Sequence, residues 1–153
     1  VMPLAKGLGS GVPIRAVVAG PKAADIFQPG NHGTTLGGNP LAMRAGVETL
    51  RIMEEDKLLH NAEQIGAYLQ NALRAGLEGV AGFNEVRGQG LMIGIELDKP
   101  CAALLNQALE RGLLMSVTAE KVVRLVPPLI LSQQEADEIV SILVPLIKEF
   151  LAA

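Results

Sequence analysis

Glycine breaks the first part of this chain twice, and each break carries polar chemistry. The run Pro3-Leu4-Ala5-Lys6-Gly7-Leu8-Gly9-Ser10-Gly11 places one amine between an apolar segment and a glycine-rich turn. The run Pro29-Gly30-Asn31-His32-Gly33-Thr34-Thr35-Leu36-Gly37-Gly38 is a second, longer polar stretch. Glycine is costly inside helices and strands and well suited to turns, so both stretches read as loops joining short elements. Loops of the second kind, long and without regular structure, are often functional.

The segments around these loops have clear periodicities. Residues 1–5 read as the end of a buried strand, and 12–19 as a second apolar strand that Gly20-Pro21 ends. A short helix is expected over 22–27. Asn39 and Pro40 are an N-cap followed by the first helical residue, which starts a helix running to about residue 54. Residues 57–77 form another helix, with Leu58, Ile65, Leu69 and Leu73 on one apolar stripe.

The remainder alternates irregularly. Strands are expected over 84–87 and 91–97, around Gly88-Gln89-Gly90, then a helix over 101–111 ended by Gly112. Short strands follow over 113–117 and 122–126, the second broken by Pro127-Pro128. Ser132 and Glu135 form a capping box for the last helix, which Pro145 is expected to kink or split. The fold class is therefore α/β joined to α+β. Residues 1–55 read as the end of a larger α/β domain, 56–78 as a connecting helix and 79–153 as a small α+β domain.

Composition excludes several function classes. Aromatic residues are only 3% of the 153 and tryptophan is absent, which leaves little to stack on nucleic-acid bases. A net charge of -3, with no basic run, gives no general attraction to nucleic acid or anionic membranes. No apolar run reaches the roughly 18 residues that suggest a membrane-spanning helix, and no signal peptide is evident. Cys101 is the single cysteine, so no intrachain disulfide forms, which fits a cytoplasmic location. His32 and His60 lack partners at metal-ligand spacing, so no metal site is expected. The chain opens on Val1 inside an apolar segment and reads as the interior of a longer protein.

Two cations are the chemical candidates. An amine held in a glycine-rich turn and drawn out of water loses some preference for its charged form, as a nucleophilic lysine requires. Lys6 fits that description, and the alternative is a solvated surface lysine. Arg124 lies within the apolar run 122–128, where an unpaired charge is expensive, so a buried anionic partner is expected for it. The alternative is a structural ion pair with a protein carboxylate. A nucleotide-binding loop on Gly7, Gly9 and Gly11 is disfavoured, because the lysine precedes the glycines and the Gly-x4-Gly-Lys-Ser/Thr pattern is missing.

Four stretches, in order, resemble the class III, fold-type I aminotransferases. They are the lysine loop from Ala5 to Ile14, the loop from Gly33 to Ala42, the strands from Val86 to Leu97, and Val123-Arg124-Leu125-Val126-Pro127-Pro128-Leu129. The resemblance covers essentially the whole chain. It implies pyridoxal 5'-phosphate as cofactor, Lys6 as the catalytic lysine that carries it covalently, Thr35 and less strongly Thr34 as phosphate contacts reaching across a subunit boundary, and Arg124 as the contact for the substrate carboxylate. It also implies a homodimer in the full-length protein, and amino transfer from N-acetylornithine to 2-oxoglutarate. Related donors are ornithine, succinylornithine, succinyl-diaminopimelate and 4-aminobutyrate. The acidic partner of the pyridine nitrogen, the aromatic stacking residue and the phosphate cup precede the lysine in this family, so 1–153 alone is expected to be inactive. A non-catalytic interaction or dimerisation module is the alternative of another class. Arg15 departs from the pattern, standing where the family commonly has glycine. Arg87 is expected in a structural or domain-interface ion pair, and Cys101 buried and inert.

Overall fold

The computed structural model describes residues 1–153, which form two compact units, Val1–Lys57 and Leu58–Ala153. In the first, strands β1 (Met2–Leu4) and β2 (Ala16–Val18) pair antiparallel, with Pro3 opposite Val17. Single 3-10 turns occupy Lys6–Gly9 and Pro21–Ala23, and helix α1 spans Pro40–Glu55. Asn39 caps α1 as its sequence suggests: its side-chain oxygen accepts from the Ala42 N–H at 3.0 Å, and Pro40 takes the first turn.

Three local expectations change in this unit. The two strands are shorter than expected, and Met2, Val17 and Val18 are exposed rather than buried. A two-stranded ribbon can bury its faces only against a second layer, and this unit supplies none. The helix expected over 22–27 shrinks to one turn. Six residues are too few to offset helix nucleation, and Gln28 and Asn31 side chains bond neighbouring backbone groups instead. One apolar anchor does hold the first loop to α1. Ile14 fills the space beside Gly9 and Gly46, where added Cβ atoms would lie 2.6 Å and 3.2 Å from its side chain.

The second unit contains α2 (Leu58–Leu77), β3 (Phe83–Gln89), β4 (Met92–Leu97), α3 (Leu104–Glu110), β5 (Ser116–Thr118), β6 (Val122–Leu125) and α4 (Gln133–Ala152). Its sheet is antiparallel with strand order β3-β4-β6-β5. Alternation along β4 sends Ile93, Ile95 and Leu97 into the core and Met92, Gly94 and Glu96 to the other face. Leu69, Leu73 and Leu77 of α2 and Leu143, Leu146 and Ile147 of α4 complete that core. The helix expected as a connection over 56–78 is thus an integral part of this core. Where α2 passes the β3–β4 turn, a Cβ on Gly66 would lie 2.2 Å from the Gly90 carbonyl oxygen, so only glycine permits the approach.

The capping box of Ser132 and Glu135 starts α4 as its sequence suggests. Pro145 does not split this helix. It is exposed, so water reaches the carbonyl it leaves unbonded, and its neighbours Leu143, Val144, Leu146 and Ile147 are all buried. Helix α3 begins three residues later than expected, because the Cys101 carbonyl closes a turn with the Leu104 N–H.

Candidate active site around Lys6

Lys6 stands where β1 ends and the first 3-10 turn begins. Its neighbour Ala5 is extended, and Lys6 itself has φ +57°, a left-handed backbone. Such a conformation is uncommon for a residue with a Cβ and persists only where surrounding structure holds it. The support is visible in successive hydrogen bonds, Leu8 N–H to the Ala5 oxygen, Ser10 N–H to Gly7 and Val12 N–H to Gly9. Ser10 and Gly11 also have positive φ, so the chain reverses tightly before Ile14 locks it onto α1.

A cavity of about 870 Å³ opens beside this turn. Lys6 and Arg15 contribute its charged groups, and Leu36, Gly38, Asn39 and Leu41 close the other side. Lys6 is exposed and makes no hydrogen bond or ion pair, so the unit does not itself draw the amine out of water. The covering layer that desolvation requires is missing for the same reason that β1 and β2 are exposed.

The second loop is held to the cavity by Asn39. While its oxygen caps α1, its side-chain N–H donates to the Leu36 carbonyl at 3.1 Å. Thr34 organises the turn: its hydroxyl accepts from the Gly37 N–H at 3.2 Å. A Cβ on Gly37 would lie 2.3 Å from the Thr34 methyl, which explains the glycine there. Thr35 is exposed and its hydroxyl has no partner in the chain. Neither threonine lines the Lys6 cavity, so the structure brings Leu36, Gly37 and Gly38 to the lysine but not Thr34 or Thr35.

Arg124 belongs to the second unit. It lies on β6 opposite Gly94 of β4 and Ser116 of β5. Strand alternation buries Val123 and Leu125 and turns Arg124 outward, so the burial expected from its apolar run is corrected. Its Nε donates to the Ser116 hydroxyl at 3.0 Å, and no protein carboxylate pairs with it. The alternative of a structural ion pair is therefore not realised, and most of the guanidinium fork remains free.

Arg87 behaves oppositely. It pairs with both Glu85 and Glu96. The Arg87 hydrogen bond holds the Glu96 carboxyl below the usual carboxylate range. Cys101 is fully buried, and burial pushes its thiol up, which disfavours the nucleophilic thiolate. The role of Asn39 in tying the Leu36 loop to α1 had no signal in the local sequence beyond a cap, because its second partner depends on how the loop folds back.

Residues 1–147 match the family described as aminotransferase class-III. The chain belongs to the class-III aminotransferases. It is 60% identical over 152 residues to acetylornithine aminotransferase 1 of Bordetella bronchiseptica, covering 99% of this chain and 39% of that protein. It is 51% identical to acetylornithine aminotransferase of Nitrosomonas europaea, covering 98% of this chain and 38% of that one. Among solved structures, ornithine delta-aminotransferase of Plasmodium falciparum superposes with a TM-score of 0.90 at 34% identity, over 98% of this chain and 40% of that chain. Acetylornithine aminotransferase of Elizabethkingia anophelis gives 0.87 at 32% identity, over 97% and 40%. The chain thus spans about two-fifths of the length of the relatives it matches.

Class-III aminotransferases depend on pyridoxal phosphate. The residues around Lys6 fit such a group. An unpaired amine borders a cavity with no aspartate or glutamate in its walls, and the first turn of α1 faces the same space. Helix N-termini and glycine-rich backbone both favour an anion. None of the helices is long and apolar enough to cross a membrane.

Proposed function

We propose that these residues form part of a pyridoxal-phosphate-dependent transaminase that moves the terminal amino group of N-acetylornithine to 2-oxoglutarate, a step of arginine biosynthesis. The observation that carries this reading is the unpaired Lys6 amine at the mouth of the cavity, within a chain 60% identical to an acetylornithine aminotransferase. Bound pyridoxal phosphate supplies an electron sink for the carbon that loses and regains its proton.

Lys6 would hold the cofactor through its amine, and the same amine, when free, would be the base that moves a proton at the substrate carbon. A long flexible stem with a compact amine suits both tasks, and arginine suits neither because it stays protonated. Arg124 takes the substrate carboxylate through its free fork, with Ser116 fixing the Nε side. Thr35 is the better phosphate contact than Thr34, because the Thr34 hydroxyl is engaged in its own turn. Its absence from the Lys6 cavity agrees with a threonine that serves the other subunit of a homodimer.

The domain reading is proposed with the same limits: 1–55 as the end of the large cofactor-binding domain, 56–78 as a helix that connects it to the small domain while packing into that domain's core, and 79–153 as the remainder of the small domain, in a cytoplasmic enzyme. The 153 residues alone are expected to be inactive, because the remaining cofactor contacts implied by the family are not among them. Ornithine is the second reading for the amino donor, favoured by the close fit to an ornithine delta-aminotransferase.

Borohydride reduction of the full-length protein with pyridoxal phosphate, followed by peptide mapping, tests the central assignment. Label at Lys6 is expected. Label at Lys22, Lys57 or any other lysine in its place refutes it. Rates on a panel of amino donors then rank N-acetylornithine against ornithine.

A further inference from the structure

Every arginine but one has a partner in the structure. Arg44, Arg51, Arg87 and Arg111 pair with carboxylates. Arg74 donates to the Val86 carbonyl and two amide oxygens, and Arg124 donates to Ser116. Arg15 makes neither an ion pair nor a hydrogen bond, and it borders the same cavity as Lys6.

The surroundings of that cavity make the difference informative. Two cations face one concave space of about 870 Å³, and no acidic residue contributes to its walls. The first turn of α1 adds a third positive feature. Leu41 and Ala42 line the space, and the Leu41 N–H finds no acceptor in the chain, whereas Asn39 occupies the Ala42 N–H. Charges of one sign in a concave site reinforce each other and draw in ligands of the opposite sign. The backbone of Arg15 is also well anchored. Ile14 before it is fitted between Gly9 and Gly46, and Ala16 after it opens β2 opposite Leu4. A guanidinium presented from fixed backbone offers two parallel donors to a carboxylate or a phosphate. Arg44 gives the contrast: it is also in the first unit, but it is strongly exposed with Glu48 beside it and lies outside the cavity.

We propose that Arg15 is an oxyanion-binding residue of the Lys6 cavity, taking two oxygens of a carboxylate or phosphate on the molecule that Lys6 engages. This rests on the reading of Lys6 as the reactive amine. It makes Arg15 a selector for acidic ligands rather than an intruder beside the lysine loop.

The test uses the full-length protein freed of cofactor, titrated calorimetrically with 2-oxoglutarate and, separately, with inorganic phosphate. Arg15→Ala and Arg15→Gln should both weaken one probe about tenfold or more, the loss expected when a charged hydrogen-bonded partner is removed. Arg15→Lys should recover part of it, since the charge returns without the fork. A loss confined to 2-oxoglutarate assigns a carboxylate ligand, and one confined to phosphate assigns a phosphate ligand. Affinities of both Ala and Gln variants within twofold of wild type for both probes overturn the proposal, as does a wild-type protein that binds neither probe. Borohydride mapping on the same proteins, after pyridoxal phosphate is added back, separates the two readings. Label at Lys6 with unchanged binding in the variants leaves the transaminase reading standing and removes this one. Label at another lysine removes the Lys6 role, and with it the shared ligand proposed here, even if Arg15→Ala weakens a probe.

Discussion

The two units of this chain bury their residues very differently. Within Val1–Lys57, only Gly9, Ala42 and Gly46 are buried, and each is small. Within Leu58–Ala153, a continuous core runs through α2, α4, the sheet and Cys101. Yet the first unit carries the Lys6 amine, the cavity and the unpaired guanidinium. The second has the hallmarks of a fold that holds itself together, while the first presents chemistry on loops fixed by a few local contacts: Ile14 against two glycines, Asn39 between α1 and Leu36, and the bonds that brace Lys6. Functional loops are commonly the low-stability part of a molecule, carried by a rigid element nearby.

The largest test of this contrast is a pair of truncations. Leu73 is fully buried in the core of the second unit, and Leu73→Ala should cost roughly 2–5 kcal/mol in urea unfolding, because the cavity it leaves relaxes only partly. Val17 in the first unit is 67% exposed, and Val17→Ala should stay within about 0.5 kcal/mol. Comparable losses for the two, measured on the 153-residue chain, would erase the distinction between a packed unit and a sparsely buried one.

A smaller effect probes how the first unit keeps its geometry. Asn39→Ala removes the cap of α1 and the link to the Leu36 carbonyl together. The expected cost is about 1 kcal/mol, as for other lost N-caps. That corresponds to roughly a fivefold drop in amide-exchange protection in the first turn of α1, with the core of α2 unaffected. Unchanged protection at Ala42 would mean that the loop and helix are held by something other than this side chain.

The contrast also explains what was legible from sequence. The second unit was readable because its signals are local and repeated: the stripe on α2, the alternation on β4 and the Ser132–Glu135 box all name their own structure. Asn39-Pro40 was legible for the same reason. The first unit was less so. Apolar residues at 12–19 look like a buried strand, but burial depends on a partner layer that no local pattern encodes. Arg124 misleads in a related way: its apolar run suggests a buried environment, although alternate residues of a strand face opposite sides. The positive φ of Lys6 had no signal at all, because lysine is not a residue that marks left-handed backbone. Motif order supplied the chemistry of the site, and only the folded chain placed Arg15 and Lys6 around one cavity.

The smallest expected effect concerns the exposed face of the sheet, where the second unit carries its own charges. Arg87 lies opposite Gly94 on β4, and Arg124 lies opposite the same glycine from the other side. Arg87 is neutralised by Glu85 and Glu96, whereas Arg124 has only a hydroxyl. The Arg87 hydrogen bond lowers the Glu96 pKa relative to an unfolded carboxyl, which titrates near about 4.3. A group whose folded pKa is depressed adds stability that is complete above its unfolded value and is lost as pH falls through the folded one. The pair should therefore weaken only in acid. Arg87→Met should raise the Glu96 midpoint, followed by carboxyl NMR, toward the ordinary range, and should reduce the acid sensitivity of the second unit. An unmoved midpoint would mean that Arg87 is not what satisfies Glu96, and that both guanidiniums beside Gly94 are available to ligands.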